Sequence, residues 1–475
     1  MDLTATLTPS AVVVSNETQN YVWSGAGKLS GTTGLTKQGA GSLTIANSGV
    51  NDNSGTTTIE AGTLQVGNGG TSGNLNSAAI ANSGALVFNR SDTITAANVI
   101  NGAGRVEKQG AGSLTLSGAS SAFTGPVAVN AGTLRVGNAS ALGTGAAGTT
   151  VGNGATLDVA GVAITAEPVT VAGDGVGGNG AIVNTVGGTG SVLETLTSVT
   201  LAGDTTFGGS GRWDLSGTLA GNGYKLTKVG INELWIAPTA GDTGLGDIDV
   251  RQGVLGFEGV SVSSLGDPSK TATVFPGAVL AFYALNNAAS PFNKVIAMNG
   301  GIFRNANGDN YFSGPVTLSG ANTFDVGSTN RQLGVIGGPG SLFKTSGGIL
   351  ILAADNTYSG GTLVSAGVLR LGNGGASGSV TGTIINNSRV DIERSDTYTQ
   401  GFNLTGTGGM YIRSPNGVVW DGSAAINLGG TVEVGREIAV SSSSRAPPIP
   451  RSAACFSAIR PIFRAKSCRR AAMWW

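Results

Sequence analysis

Apolar and polar residues alternate along this chain in very short runs. Ser42-Leu43-Thr44-Ile45, Thr57-Thr58-Ile59, Leu64-Gln65-Val66 and Leu134-Arg135-Val136 each place every second residue on one face. That period of two predicts strands with one buried face. The runs last about three to six residues. Gly, Asn, Ser or Asp interrupts them, as at Gly39-Ala40-Gly41 and Gly67-Asn68-Gly69-Gly70. Such residues tolerate the positive φ that tight corners require. Apolar residues do not recur with helical spacing over any useful length of residues 1–440, so no helix is expected there.

The pattern also repeats on a longer scale. Residues 37–68 and 108–138 share KQGAGSLT at the front and AGTL-x-VGN at the back. Residues 344–373 form a third copy and residues 228–259 a weaker fourth. GNGGTSG at 67–73 returns as GNGGASG at 372–378, and RSDT at 90–93 returns at 394–397. Two architectures compete for such a chain. A sandwich needs hairpins with defined two-residue turns and needs no long repeat. A parallel β-helix stacks short strands joined by glycine-rich corners, each coil burying its apolar face against its neighbours. The repeats favour the β-helix. At on the order of 20 residues per coil, residues 21–440 supply about 20 coils.

Composition narrows the reading further. Of 475 residues 81 are glycine, about 17%, while aromatics are only 6%. No Gly-X-Y period exists, which excludes collagen. The low aromatic content predicts a narrow core filled by ladders of Val, Leu, Ile and Ala rather than by rings. The chain has no histidine, which excludes Ser-His-Asp and Cys-His nucleophiles and His-ligated metals. Its two cysteines, Cys455 and Cys468, both lie near the end. Thiol-free residues 1–454 suit a chain that crosses an oxidising compartment unfolded. Residues 445–475 hold seven basic residues and no acid. The 27 basic residues of the chain less these seven leave 20 against 27 acids, a net charge of −7 for residues 1–444. An acidic body does not suit the phosphate backbone, so no nucleic-acid partner is expected. Residues 1–20 are expected to cap the array or to be poorly ordered. Residues 441–475, rich in Pro and Arg and lacking glycine, are expected to be disordered or read in a shifted frame. The start lacks the basic and apolar regions of a signal peptide, and no run of about 18 apolar residues exists to form a transmembrane helix.

The repeated residues carry a resemblance. Lys108-Gln109-Gly110-Ala111-Gly112-Ser113-Leu114-Thr115-Leu116-Ser117-Gly118, Asn356-Thr357-Tyr358-Ser359-Gly360-Gly361-Thr362 and Ala131-Gly132-Thr133-Leu134-Arg135-Val136-Gly137-Asn138 together resemble the autotransporter-associated (passenger-associated transport) repeat of bacterial type V secreted proteins. The resemblance implies an all-β, right-handed parallel β-helix with a non-solenoid tail. It implies a passenger at the cell surface or in the medium, whose repeats assist translocation and folding outside. It also implies an outer-membrane β-barrel in the full-length protein; no barrel pattern is present in these residues. Expected partners are host or abiotic surfaces, glycans or neighbouring cells.

The positions expected to build the repeat are Lys37, Gly39, Gly41, Leu43, Gly62, Leu64, Gly67 and Asn68 in the first copy. Their counterparts are Lys108, Gly110, Gly112, Leu114, Gly132, Leu134, Gly137 and Asn138 in the second. Lys344, Tyr358, Gly360, Gly361, Gly367, Leu369, Gly372 and Asn373 serve in the third. The recurring lysines, with Lys228, are expected to line a solvated corner. The three asparagines are expected to make turn or ladder hydrogen bonds.

Two acidic clusters stand beside this scaffold. Asp242, Asp247 and Asp249 cluster with Arg251, and Asp391, Glu393 and Asp396 cluster with Arg394. Paired carboxylates could serve a polysaccharide hydrolase or lyase, the alternative to a non-enzymatic protein; a solvated face is the expected reading. Gly173–Gly180 has the glycines of a calcium-binding nonapeptide but one isolated Asp174 and no tandem copy, so no metal and no cofactor is expected. Trp23, Trp213, Trp235 and Trp420 could stack on sugars if exposed, but core filling is the expectation.

Overall fold

The computed structural model describes residues 1–187, 195–237, 244–260, 264–420 and 424–435. Two units are distinguished, Met1–Arg436 and Glu437–Trp475; the second, with the basic tail expected at 441–475, lies outside the described residues. The first unit is an all-β solenoid of about 19 turns. Among the described residues the only helical piece is a single 3-10 turn at Val176–Gly178.

Among the described residues every strand pairing is parallel, and partners stand about one coil apart in sequence. One inward-facing column runs Leu43, Leu64, Leu86, Val106, Val127, Thr149, Val169, Val199 and Leu219, each in register with the next. All nine are buried. The burial pattern reads the alternation directly: residues rank half-buried then buried along Ser113–Leu116 and again along Thr133–Val136. Inward leucines and valines therefore stack on their own kind, coil after coil. Each contributes about 2 kcal/mol of burial free energy.

Three strand columns make up the coil. Strands Ala85–Asn89, Ile94–Ala96 and Val99–Asn101 pair respectively with Arg105–Gln109, Ser113–Leu116 and Ala79–Asn82. One long strand, Leu196–Gly209, crosses a corner. Its residues 199–201 pair with Val169–Val171, while residues 205–207 pair with Leu226–Lys228.

The core departs from the aliphatic expectation in its middle. Phe257, Phe282, Phe292, Phe303, Phe312 and Phe324 are all buried. Phe303 packs 5.0 Å from Phe282, 5.0 Å from Phe312 and 5.3 Å from Phe324, centroid to centroid. Aromatic content is low over the chain, but these rings gather in one zone, where they widen what a coil can enclose.

Candidate functional site

The repeat builds the same corner four times. Lys37, Lys108, Lys228 and Lys344 each occupy an inward strand position and are 0–1% exposed, which overturns the expected solvated ladder. The coil beneath presents Val14, Phe88, Phe207 and Phe324 in register with them. The coil above presents Ile59, Val129, Val250 and Val364. An apolar sandwich thus surrounds each lysine stem, and an ammonium there needs hydrogen-bond acceptors to be tolerated.

Backbone carbonyls supply them. Lys108 Nζ donates to the carbonyls of Gln109 (2.6 Å), Gly110 (2.7 Å) and Ala131 (3.0 Å). Lys37 donates to Gln38, Gly39 and Ala61, and Lys344 to Thr345, Ser346 and Ala366. Lys228 donates to Val229, Gly230 and Gln252, and also to Asn232 Oδ1 at 2.9 Å. In every copy the first two acceptors follow the lysine. The third precedes the back-corner glycine of the next coil, 22–24 residues on. The lysine therefore ties the front half of one repeat to its back half across the coil boundary. Burial pulls the Lys108 and Lys344 ammonium groups down to about 8 and Lys228 to about 7. Burial also lowers Lys37, opposed by the charge of Glu17.

The back-corner glycines explain the spacing. Gly62, Gly132, Gly253 and Gly367 have φ of 69, 64, 64 and 67°. A Cβ on Gly132 would sit 2.4 Å from the Gly112 carbonyl oxygen and 2.6 Å from that of Gly110. One on Gly62 would meet the Gly41 and Gly39 oxygens at 2.3 and 2.4 Å. The A-G-T corner thus lies directly on the G-x-G corner of the coil before, where only glycine fits. Leu43, Leu64, Leu114, Leu134 and Leu369 are buried beside these corners. Tyr358 is fully buried, its hydroxyl 2.6 Å from Thr362 Oγ1, and burial pushes its pKa up. Gly360 packs against the Gly340 backbone, and Gly361 takes a φ of 80°.

The motif-closing asparagines do not form one ladder. Asn68 is exposed. Asn138 Oδ1 accepts from the Ser140 amide at 2.9 Å, and Asn373 Oδ1 accepts from Arg331. The inward asparagines lie elsewhere. Asn82 and Asn386 occupy the lysine's column two coils after Lys37 and Lys344. Their Nδ2 atoms donate to the Arg105 and Gly409 carbonyls. Sequence reading missed them; the available signal was their shared place eight residues before each RSDT.

A second recurring device joins the other repeated segments. Arg90 reaches back from RSDT to the Gly73 carbonyl, and Arg394 to the Ala376 carbonyl. Each arginine also holds the aspartate two residues on, Asp92 or Asp396. Gly69 and Gly374 amides donate to Asn89 and Glu393, while Ser91 and Ser395 donate to Gly70 and Gly375. Gly67 and Gly372, with φ of 84 and 87°, leave room for this clasp. Gly137, at the corresponding place in the second copy, packs against Leu116 and Ser117 instead.

The acidic clusters are engaged in ion pairs. Asp391 is 1% exposed and meets Arg389 at 2.6 Å, Arg413 at 3.3 Å and Arg370 at 3.6 Å. Glu393 pairs with Arg370 at 3.1 Å. Asp249 pairs with Arg251 at 3.0 Å, and Asp247 accepts from the Thr271 amide. Asp242 lies outside the described residues. Asp174 of the glycine-rich segment accepts from Thr206 Oγ1 at 2.7 Å. Among the described residues no group of three His, Cys, Asp or Glu could hold a metal ion. Trp23, Trp213 and Trp235 are buried and offer no ring to a sugar. Trp213 stacks edge-on against Phe207, and Trp235 lies over Gly256 with Arg212 above it. Trp420 belongs to the strand Val418–Trp420.

The passenger-associated-transport-repeat family model matches residues 35–66, 106–136 and 342–371. The chain therefore carries these repeats. Residues 228–259 are not matched, although Lys228 and Gly253 build the same corner. The chain is 27% identical over 462 residues to the adhesin BmaC autotransporter of Brucella suis biovar 1 (strain 1330). That alignment covers 81% of this chain but 13% of the relative, so the chain spans a small part of that protein's length. No solved structure matches. Repeat and relative agree on one likeness, an autotransporter passenger with passenger-associated transport repeats.

Proposed function

We propose that this chain is a structural and adhesive passenger segment displayed at the cell surface, with no catalytic role. Its repeats support translocation and folding outside the cell. The observation that carries this reading is the corner. In each lysine corner the third acceptor of the ammonium comes from the next coil, so closure proceeds between neighbouring coils in a one-dimensional array. A segment emerging through an outer-membrane pore can lock one coil at a time, and each locked coil disfavours return. Among the described residues Asp249, Asp391, Glu393 and Asp396 are held by arginines, which supports a non-enzymatic role.

The test is display of residues 1–440 between the signal peptide and barrel of an autotransporter in a Gram-negative host. Surface exposure is read by added protease, and adherence by retention of cells on abiotic and host-cell layers. The expected result is surface display with increased adherence, and display lost when Gly132 and Gly367 are replaced by valine. Full display by the double variant would remove the corner from the translocation role. Display without any gain in adherence would remove the adhesive one.

A further inference from the structure

The segment Asp174–Gly180, exposed over residues 176–179, borders a groove of about 640 Å³. The groove is open to solvent, so it suits a ligand laid across it rather than enclosed. The segment is built, not loose. Thr156 Oγ1 donates to the Gly180 carbonyl and accepts from the Val176 amide, both at 2.9 Å. Thr206 Oγ1 holds Asp174 at 2.7 Å. The groove runs obliquely over six stacked coils, from Thr133 through Thr156, Thr185, Ser210 and Gly230 to Gln252. At the spacing of parallel strands that is roughly 24 Å.

Its lining mixes polar and apolar groups. Thr133, Ser210, Asn179 and Gln252 bring hydroxyls and carboxamides, and Val176, Val183 and Val229 bring methyl groups, while the Thr185 hydroxyl is already held by Asp158 and Arg135. Among the described residues no carboxylate lines it, and the one lining cation, Arg251, is already paired with Asp249 at 3.0 Å. Resting on the adhesive reading above, we propose that this groove binds a linear, uncharged glycan. Hydroxyls and amides spread over several coils match the repeating polar edges of such a chain, and the valines match its C–H faces. A polyanion would find no unpaired positive charge here and would approach a body of net charge −7. An extended peptide would seek an open strand edge. The groove instead crosses strands already bonded to coils on both sides.

Isothermal titration of the full chain with cellohexaose and chitohexaose tests the site. A heparin hexasaccharide and an unstructured peptide serve as the other probes. Saturable binding of a neutral hexasaccharide is expected. Ser210→Trp, on an exposed residue that lines the groove, should weaken binding at least about tenfold, near 1.4 kcal/mol. Gln252→Ala should weaken it less, and Thr317→Trp, on an exposed strand position away from the groove, should leave it unchanged. Circular dichroism of each variant checks folding. Absence of binding to both neutral hexasaccharides, binding indifferent to Ser210→Trp and Gln252→Ala, or binding of heparin or peptide alone would each overturn the proposal. Cell adherence, measured in parallel, separates the two readings. Adherence that survives without glycan binding sinks the groove alone, and loss of both sinks the adhesive reading too.

Discussion

Replacing Lys108 by methionine isolates the buried ammonium from its stem. Methionine has a similar length and fills the space between Phe88 and Val129, so packing changes little. Two opposed terms remain. Burial lowers the Lys108 pKa from 10.5 to about 8. Each pKa unit is about 1.4 kcal/mol, so the charged side chain destabilises the fold by about 3 kcal/mol relative to its neutral form. The variant removes that penalty. It also leaves the carbonyls of Gln109, Gly110 and Ala131 without the lysine donor, at about 1 kcal/mol or more each. The sign with pH follows from proton binding. Between pH 8 and 10.5 the unfolded chain holds the lysine proton and the folded one does not, so wild-type stability rises with pH across that window. Near neutral pH the two terms nearly cancel and Lys108→Met should be close to neutral. Near pH 10.5 the folded lysine is a neutral amine with two N–H donors, only those two lost hydrogen bonds remain, and the variant should be less stable by about 2 kcal/mol. Urea titrations of both proteins by circular dichroism, at several pH values, give the difference directly. A difference that does not change with pH would refute the argument. A difference largest at neutral pH would refute it more sharply, because the carbonyls would then outweigh desolvation and hold the proton.

Four further outcomes follow from the same corners and core. Gly132→Ala forces a Cβ into two carbonyl oxygens at positive φ and should cost about 3 kcal/mol or more, read as a lower urea midpoint. Ser346 sits at φ 60° where the other copies have glycine, so Ser346→Gly should be neutral to stabilising by about 1 kcal/mol, despite losing its bond to Asp325; a clear loss would show that this bond governs the corner. Phe303→Ala opens a cavity among three rings and should cost about 3–5 kcal/mol, checked by the same titration. Asp391→Asn leaves three arginines facing a neutral amide and should cost about 3 kcal/mol. If Asp391 instead worked in glycan cleavage, the variant would keep its stability and lose activity on polysaccharide.

The solenoid was readable because its strands alternate with period two and its repeat exceeds one coil. Leu43, Leu64, Leu114 and Leu134 declared their faces by that alternation. The orientation of the lysines was not readable by charge. Lys37 and Lys108 stand at the inward phase of Gly34–Gln38 and Arg105–Gln109, two residues after the buried Leu35 and Val106. Phase pointed inward while charge pointed outward, and phase won because three carbonyls at the corner could accept the ammonium. The phenylalanine cluster escaped for another reason. Phe282 and Phe292 are near in sequence, but Phe257 and Phe324 join them only through coil stacking, which average composition cannot show. The groove escaped because its lining is gathered from six coils, Thr133 to Gln252, and no motif marks its hydroxyls.

A buried lysine is an expensive way to fill a core, since an apolar residue would avoid desolvation. What it adds is register. An apolar side chain stacks on any apolar neighbour, and a column of Leu and Val tolerates a coil slipped by two residues along its strand. The ammonium does not. Its third acceptor is Ala61, Ala131, Gln252 or Ala366, one coil on, and a slip of either strand leaves a buried charge short of a partner. The back-corner glycine enforces the same alignment sterically, because only Gly132 over Gly110 and Gly112 clears the carbonyls. One such key per few coils suffices, since the coils between inherit their register from a neighbour already fixed. That accounts for lysines spaced at 37, 108, 228 and 344 rather than in every coil. It also accounts for Asn82 and Asn386, which donate to the following coil without a buried charge. A chain that folds as it emerges has no finished core to correct a slipped strand, so the checkpoint must be local, and the lysine corner is local to two coils.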